Sequence, residues 1–334
     1  MRISTEPKVS IGIPVFNGAK TLAKTIEAAI NQDYTNLEII ISDNCSTDET
    51  QSIAEAFQSK DPRIKYIRQE ENFGMTANFS KVFQHSTGEF FMWAAHDDQH
   101  NPAFVSKCLP FLLRDPKAGL CVPRTQTFLG GEINWISTMR TFSGLTTQSA
   151  LYKETLKHFP AVGLYGLYRS SVIKKTGLWK NFMGADLVFI QNLALHGSFV
   201  YCDEILFSYF ERDSWNTVDQ DYWNVFRIPK KPWYYSPFLV VALNQFAGIM
   251  RSKNSLNSKS KLLGVLINFL IVQVMKKVTL KILRVLIPSD YKIKFLSNFY
   301  WRFMHNPNID VIDISAFTEH DILPMIGLRP KVCK

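Results

Sequence analysis

The sequence predicts an α/β protein, a mostly parallel twisted sheet flanked by helices and followed by a helical, basic, amphipathic extension. Three observations carry this prediction. Short apolar runs alternate with stretches of helical periodicity from Val9 to Ala94. Those runs end in polar residues at Asn17, Asp43 and Asp97-Asp98. The positive charge is confined to one C-terminal segment.

The elements follow in chain order. Val9 and Ser10-Ile-Gly-Ile-Pro-Val-Phe16 form a first strand, closed by the turn signal Asn17-Gly18. Thr21 to Gln32 repeats Leu22, Ile26, Ala29 and Ile30 at helical spacing. Leu37 to Asp43 is a buried-strand pattern, and Ser46-Thr-Asp-Glu49 has the spacing of a capping box opening a helix through Phe57. Ile64 to Ile67 reads as a third strand, Asn78 to His85 as a helix, and Phe90 to Ala94 as a fourth strand running into Asp97-Asp98. After Arg124 the pattern weakens. Gly163 to Tyr168 and Phe199 to Phe207 read as strands, and Asp186 to His196 as a helix with Leu187, Ile190, Leu193 and Ala194 facing inward. The Pro- and aromatic-rich stretch Ile228 to Pro237 marks a linker. The expected division is a catalytic domain over 1–215 and a mainly helical extension over 216–334.

With 334 residues, 46% hydrophobic and 20% charged, the chain has enough apolar mass for a large core. That excludes disorder, collagen and a small disulfide scaffold. Five scattered cysteines without a C-x-x-C pair point away from a zinc site or disulfide framework and toward a reducing compartment. The first residues lack the apolar run of a signal peptide, so a cytoplasmic location is expected, peripheral at the cytoplasmic face of a membrane.

Residues 251–302 hold eleven Lys/Arg and one acid, which leaves 27 basic against 28 acidic residues elsewhere. The apolar stretches Phe238–Met250 and Leu262–Met275 lie in or beside that segment. As a helix the second is ~21 Å long, short of the ~30 Å hydrocarbon core, so a full transmembrane span is not expected. Lys277, Lys281 and Arg284 recur on one side of a helix otherwise rich in Val, Ile and Leu. Charge and apolarity together suit an anionic membrane surface contacted through 238–302 better than a helix packed on its own domain. The segment is too apolar for a phosphate-binding face and no nucleic-acid motif appears, so no nucleic-acid partner is expected.

Because strand ends in such a sheet line one rim, Asn17, Asp43 and Asp97-Asp98 are expected to be neighbours in space. Taken alone, an Asp-Asp pair more often caps a helix, here one beginning near Ala103, or decorates a turn. In a loop after a buried strand, the pair is a hard-oxygen site suited to Mg²⁺ or Mn²⁺ shared with a diphosphate. Pro14-Val-Phe-Asn17, Ser42-Asp-Asn-Cys-Ser-Thr-Asp48, Glu71-Asn-Phe-Gly74, Trp93-Ala-Ala-His-Asp-Asp98 and Met183-Gly-Ala-Asp186 with Leu193-Ala-Leu-His-Gly197 stand in this order. Together they resemble family 2 glycosyltransferases of the GT-A fold over about residues 8 to 213.

The resemblance implies an inverting, metal-dependent transfer from a nucleotide-sugar donor to a glycan or lipid-linked acceptor. It implies that Asp43 and Asn44 grip the nucleobase, Pro14 and Asn17 shape the pocket floor, and Asn72 turns beside the nucleotide. Asp97 would hold the ribose, Asp98 the Mn²⁺ or Mg²⁺ ion, and Asp186 would be the catalytic base. Many members carry a second Asp where this chain has Asn44, whose carbonyl is still an acceptor. Arg212 matches the family's diphosphate-side basic residue poorly. Independently, transfer to a hydroxyl needs a base, which Asp186 supplies even if it also caps its helix. His96 and Trp93 are read as packing residues and Arg169 as a solvated charge or an acceptor-side group. A non-catalytic scaffold subunit of the same fold and a sugar nucleotidyltransferase are the alternatives. The latter lacks its Gly-rich, Arg-containing loop, because Phe16-Asn-Gly-Ala-Lys20 stands there. A dinucleotide-dependent oxidoreductase lacks G-x-G-x-x-G after strand one.

Overall fold

The first strand, β1 (Val9–Val15), is buried at all seven positions, so its sequence runs apolar without alternating. A computed structural model describes residues 6–137, 142, 144–145, 147–157, 161–210 and 236–286, with the side chains of 161–162, 237 and 276–286 outside that description. After β1 come α1 (Leu22–Ile30), β2 (Leu37–Asp43), α2 (Thr50–Gln58), β3 (Ile64–Arg68), α3 (Met75–Gln84) and β4 (Phe90–Trp93). β1 pairs in parallel with β2 and β4, and β2 with β3. The register sets Pro14 opposite Ser42 and Val15 opposite Asp43, so the strand ends lie level along one rim. Gly12 is required in β1, because a Cβ there would stand 2.5 Å from the Phe91 ring.

The chain continues through β5 (Gln99–His100), α4 (Phe104–Arg114), β6 (Ala118–Leu129), β7 (Glu132–Ser137) and α5 (Gln148–Lys157). Next come β8 (Leu167–Arg169), α6 (Ser170–Thr176), α7 (Ala185–Ala194) and β9 (Ser198–Phe210). The sheet order is β3-β2-β1-β4-β8-β6-β9-β5, with β7 paired to β6. β8 runs antiparallel to both β4 and β6, and β6 and β9 are parallel. The expected mostly parallel sheet is present, with β8 reversed in its middle and β5 and β7 reversed at its margins. Together with its helices it is the GT-A type of fold.

Several local expectations change. α2 starts at Thr50 with Glu49 at its N-cap, and no capping box forms. Ser46 instead accepts the Asn17 N–H (2.8 Å), because loop-to-loop bonding claims its hydroxyl first. Asp97 and Asp98 do not cap α4, since Asn101 accepts the Ala103 N–H there (2.9 Å). Leu187 is 40% exposed, because Phe189, Ile190 and Leu193 define the inner face of α7. Arg169 donates to the carbonyls of Ala118 (3.0 Å) and Asp115 (3.4 Å) and lies over the Phe90 ring, a structural role.

Trp93 is buried at the centre of an aromatic cluster with Phe79, Phe83, Phe91, Tyr168, Trp179 and Phe189. Its indole N–H donates to the Phe79 carbonyl (3.0 Å), so the cluster ties α3, β4, β8 and α7 together. Cys45, Cys108, Cys121 and Cys202 are free thiols.

Two further helices follow, α8 (Pro237–Arg251) and α9 (Leu256–Leu286). The chain forms two compact units, Met1–Thr155 with Phe159–Leu262, and Leu156–His158 with Leu263–Lys334. The domain boundary expected at 215/216 lies outside the described residues. α9 is longer than the sequence pattern predicted. Leu256–Met275 alone is 20 residues of mean hydropathy 1.4, long and apolar enough to cross a membrane by length and composition.

Candidate active site

The loops after β1 and β2 are stitched into one surface. Asn17 adopts a left-handed backbone (φ 51°) that turns its side chain back, and its Oδ1 accepts the Thr47 N–H at 2.8 Å. The Gly18 N–H donates to the Thr50 hydroxyl (2.9 Å) and the Ala19 N–H to the Asp48 carboxylate (3.0 Å). Burial raises the Asp48 pKa, but the bonds from Thr50 and Ala19 outweigh it and hold the group below its ordinary value. Pro14 lies buried beneath these loops.

Asp43 is fully buried at the end of β2. Its carboxylate accepts from the Ser46 N–H (2.8 Å), the Tyr66 hydroxyl (2.7 Å) and the Arg68 guanidinium (2.9 Å). Burial first, then the neighbouring Asp43, push the Tyr66 pKa upward. Asn44 donates to the Asn72 side-chain oxygen (2.9 Å) and the Gly74 carbonyl (3.2 Å), and accepts from the Phe73 N–H (3.0 Å). Asn44 and Asn72 are thus brought into direct contact, and the amide at 44 fixes the turn before α3. Gly74 takes φ 89° at that turn, a conformation an L side chain rarely adopts.

Asp97 and Asp98 follow β4 at the same rim. Asp98 is buried and accepts the backbone N–H of Phe210, the last residue of β9, at 3.1 Å. Next to the pair, His96 bonds Thr21 through Nδ1 (3.1 Å) and Thr25 through its carbonyl (3.0 Å), the packing role expected of it. Asp186 stands in the first turn of α7, after Gly184, which holds φ 85°. Burial raises the Asp186 pKa, partly offset by the N–H groups of Leu187 and Asp186 itself.

Tyr165 joins these acids. Its pKa is driven well above the ordinary phenol value by burial and then by Asp98, Asp97, Tyr209 and Asp186. The acid pair after β4 and the first-turn acid of α7 therefore all act on the charge of one phenol. Tyr165 also packs its ring on Phe207 of β9 (4.8 Å between centroids). Sequence reasoning missed Tyr165, because inside the run read as a strand over Gly163 to Tyr168 it looks like one more packing residue. It also missed Phe210, whose ring stacks on Phe128 (5.1 Å, 15°) beside Asp98. Arg212 lies outside the described residues.

Asp97 and Asp98 offer hard carboxylate oxygens. Among the described residues no three His, Cys, Asp or Glu side chains form a cage for an ion. A donor set of this kind fits Mg²⁺ or Mn²⁺ held jointly by one or two carboxylates and a ligand's phosphate oxygens, not an all-protein site.

Comparison with known proteins bears on this arrangement. The family described as Glycosyl transferase family 2 matches residues 10–177. The GalNAc(5)-diNAcBac-PP-undecaprenol beta-1,3-glucosyltransferase of Campylobacter jejuni is 28% identical over 195 residues, 58% of this chain and 62% of that protein. The chondroitin synthase of Escherichia coli is 33% identical over 131 residues, 39% of this chain and 19% of that one. The chain thus spans less than two thirds of the length of either relative. The crystal structure of S. aureus TarS 1-349 in complex with UDP superposes with a TM-score of 0.58 at 16% identity, covering 78% of this chain and 71% of that one. At that identity the likeness shows the fold alone.

Proposed function

The chain belongs to glycosyl transferase family 2, and from that premise we propose that it is a glycosyltransferase performing an inverting, metal-assisted transfer from a nucleoside-diphosphate sugar to an acceptor hydroxyl. One observation supports this most: Asp97 and Asp98, which follow β4, and Asp186, in the first turn of α7, all act on the charge of the same phenol, Tyr165.

In this reading Asp186 accepts the proton of the acceptor hydroxyl as that oxygen attacks the anomeric carbon. The new C–O bond forms on one face while the bond to the diphosphate breaks on the other, its electron pair leaving with the diphosphate. The raised pKa of Asp186 suits a base, because burial makes its carboxylate a better proton acceptor than one in water. Asp98, with Asp97 toward the ribose, would hold a Mn²⁺ or Mg²⁺ ion, which when bound neutralises charge on the leaving diphosphate. Asp43 and Asn44 act on the nucleobase end. Their hydrogen bonds hold the loops after β2 and β3 in shape, and Pro14, Asn17 and Asn72 complete the floor.

The acceptor is a glycan or a lipid-linked glycan. The name of the C. jejuni relative, which carries a PP-undecaprenol glycan, supports the second. The protein works at the cytoplasmic face of a membrane, where 238–302 meets anionic lipid.

The decisive experiment offers a panel of nucleotide sugars and acceptors with and without Mn²⁺ and identifies the released nucleotide by mass spectrometry. Transfer with free nucleoside diphosphate is expected, and pyrophosphate would instead indicate nucleotidyl transfer. Asp98→Asn should lower turnover by about 10²-fold or more, the scale of lost electrostatic stabilisation. Full activity in chelator would discard the metal role. Nucleotide binding by the wild type with no transfer to any acceptor would leave a scaffold.

A further inference from the structure

α8 is apolar on both faces: Ile249 is fully buried and Val240 and Val241 pack on the protein, yet its outer face is apolar too. Its polar residues face the protein: Gln245 is buried and donates to Gln191 of α7 (2.8 Å), and Asn244 accepts from Lys180 (2.9 Å). Gly248 lets the two helices approach closely, since a Cβ there would fall 2.0 Å from the Asn192 side-chain oxygen. On the opposite face Leu239, Leu243, Phe246 and Met250 are 53%, 57%, 48% and 47% exposed. Steps of four, three and four residues set these four in one narrow stripe. A helix bordered by water on its outer side is polar on that face.

Charge identifies what borders it instead. From Ser236 to Leu286 there is no Asp or Glu. Arg251 and Lys253 follow the stripe directly, and Lys259 folds back to donate to the Met250 carbonyl (2.8 Å). A second copy laid parallel on this stripe would bring like charges together, and an antiparallel copy would leave both cationic ends without a counter-charge, since that stretch holds no Asp or Glu. A leaflet with anionic headgroups accepts the apolar side chains and the cations at once.

We infer that α8 lies flat in an anionic lipid leaflet with Leu239, Leu243, Phe246 and Met250 immersed, and thereby holds α7 and its first-turn Asp186 against the bilayer surface. Val240 and Val241 of α8 pack on Phe182, Ala185 and Val188, the residues that bracket Asp186, so the two helices move as one. The acceptor class that follows is a glycan anchored to lipid, whose hydroxyl is presented at that surface. This deepens the proposed transfer reaction and rests on it only for the role of Asp186.

The test sediments the full chain with vesicles of equimolar phosphatidylglycerol and phosphatidylcholine, and with phosphatidylcholine alone. Wild type should bind the anionic vesicles, and Leu243→Glu/Phe246→Glu should lose at least roughly tenfold in partitioning. Leu113→Glu, at an exposed leucine on α4, should bind as wild type does. The variants must keep the wild-type melting temperature and nucleotide binding for the comparison to count, and Leu243→Gln/Phe246→Gln replaces a double variant that misfolds. Unchanged partitioning of the double variant, or no binding by wild type, overturns the inference. A wild-type dimer in light scattering that the double variant converts to monomer overturns it in favour of self-association. Vesicle binding needs no turnover, so a protein that partitions as expected yet transfers no sugar defeats the reaction and spares the surface.

Discussion

Asp186 is caught between two demands on one carboxylate. Burial disfavours its charge, and a base must carry that charge. Asp186→Asn should therefore cut turnover by roughly 10³-fold while leaving nucleotide affinity nearly intact. Lost binding would mean a structural role. Because its folded pKa is raised, the ionised group costs stability above that pKa, and the cost disappears once pH falls below the unfolded value. Asp186→Asn should accordingly melt higher than wild type at pH 7, and the difference should vanish in acid. For wild type, the acid limb of the rate profile should lie above the ordinary aspartate range. Glu38 shows the opposite sign at the far end of the sheet. Burial raises its pKa, but bonds from Ser10, Lys8 and Thr87 outweigh this and bring it from 4.5 to about 2. That stability is complete above the unfolded value and is lost as pH falls toward the folded one. Glu38→Gln should cost about 2 kcal/mol at neutral pH. In denaturant titrations the gap from wild type should hold above pH 4.5 and close toward pH 2.

Single elements differ in how plainly their sequence announces them. β1 and β2 are buried on both faces and read as continuous apolar runs, so their place and their polar endings were legible. The hairpin of β6 and β7 was not. Thr125 and Thr127 are buried without looking apolar, and β7 is exposed at five of its six positions, so no period marks it. The strand read over Gly163 to Tyr168 is present only as β8, Leu167–Arg169, because Ala161–Leu164 turns as a 3₁₀ helix. α7 was foreseen, but its inner face was misjudged at Leu187. The helical repeat alone admits that residue, and only the contacts of Phe189 with Trp93 and Trp179 fix the rotation. The close approach of α8 to α7 makes a prediction at this scale. Gly248→Val overpacks the contact with Asn192 and should destabilise the fold by about 1–3 kcal/mol. If α8 positions α7, kcat should fall more than donor KM rises, and equal change in both would argue against that coupling.

For the molecule as a whole, the rim was legible because strand endings are local signals and a parallel sheet brings them level. Asn17, Asp43 and Asp97-Asp98 were placed that way, whereas Asp186, Asn44 and Asn72 entered through the motifs that resemble the family. The partners that give the rim its present form were not legible. Tyr66 and Arg68 on Asp43, Phe210 on Asp98 and Tyr165 on Phe207 come from distant segments whose meeting only the fold decides. The strand order has a consequence for synthesis. β3, β2, β1 and β4 are complete once residue 93 has left the ribosome, but the free side of β4 pairs with β8, whose residues are 167–169. Until that reversed strand emerges, Phe90 and Phe91 stand on an open edge, so the nascent chain passes through a stage in which a half-built sheet can recruit a neighbouring polypeptide.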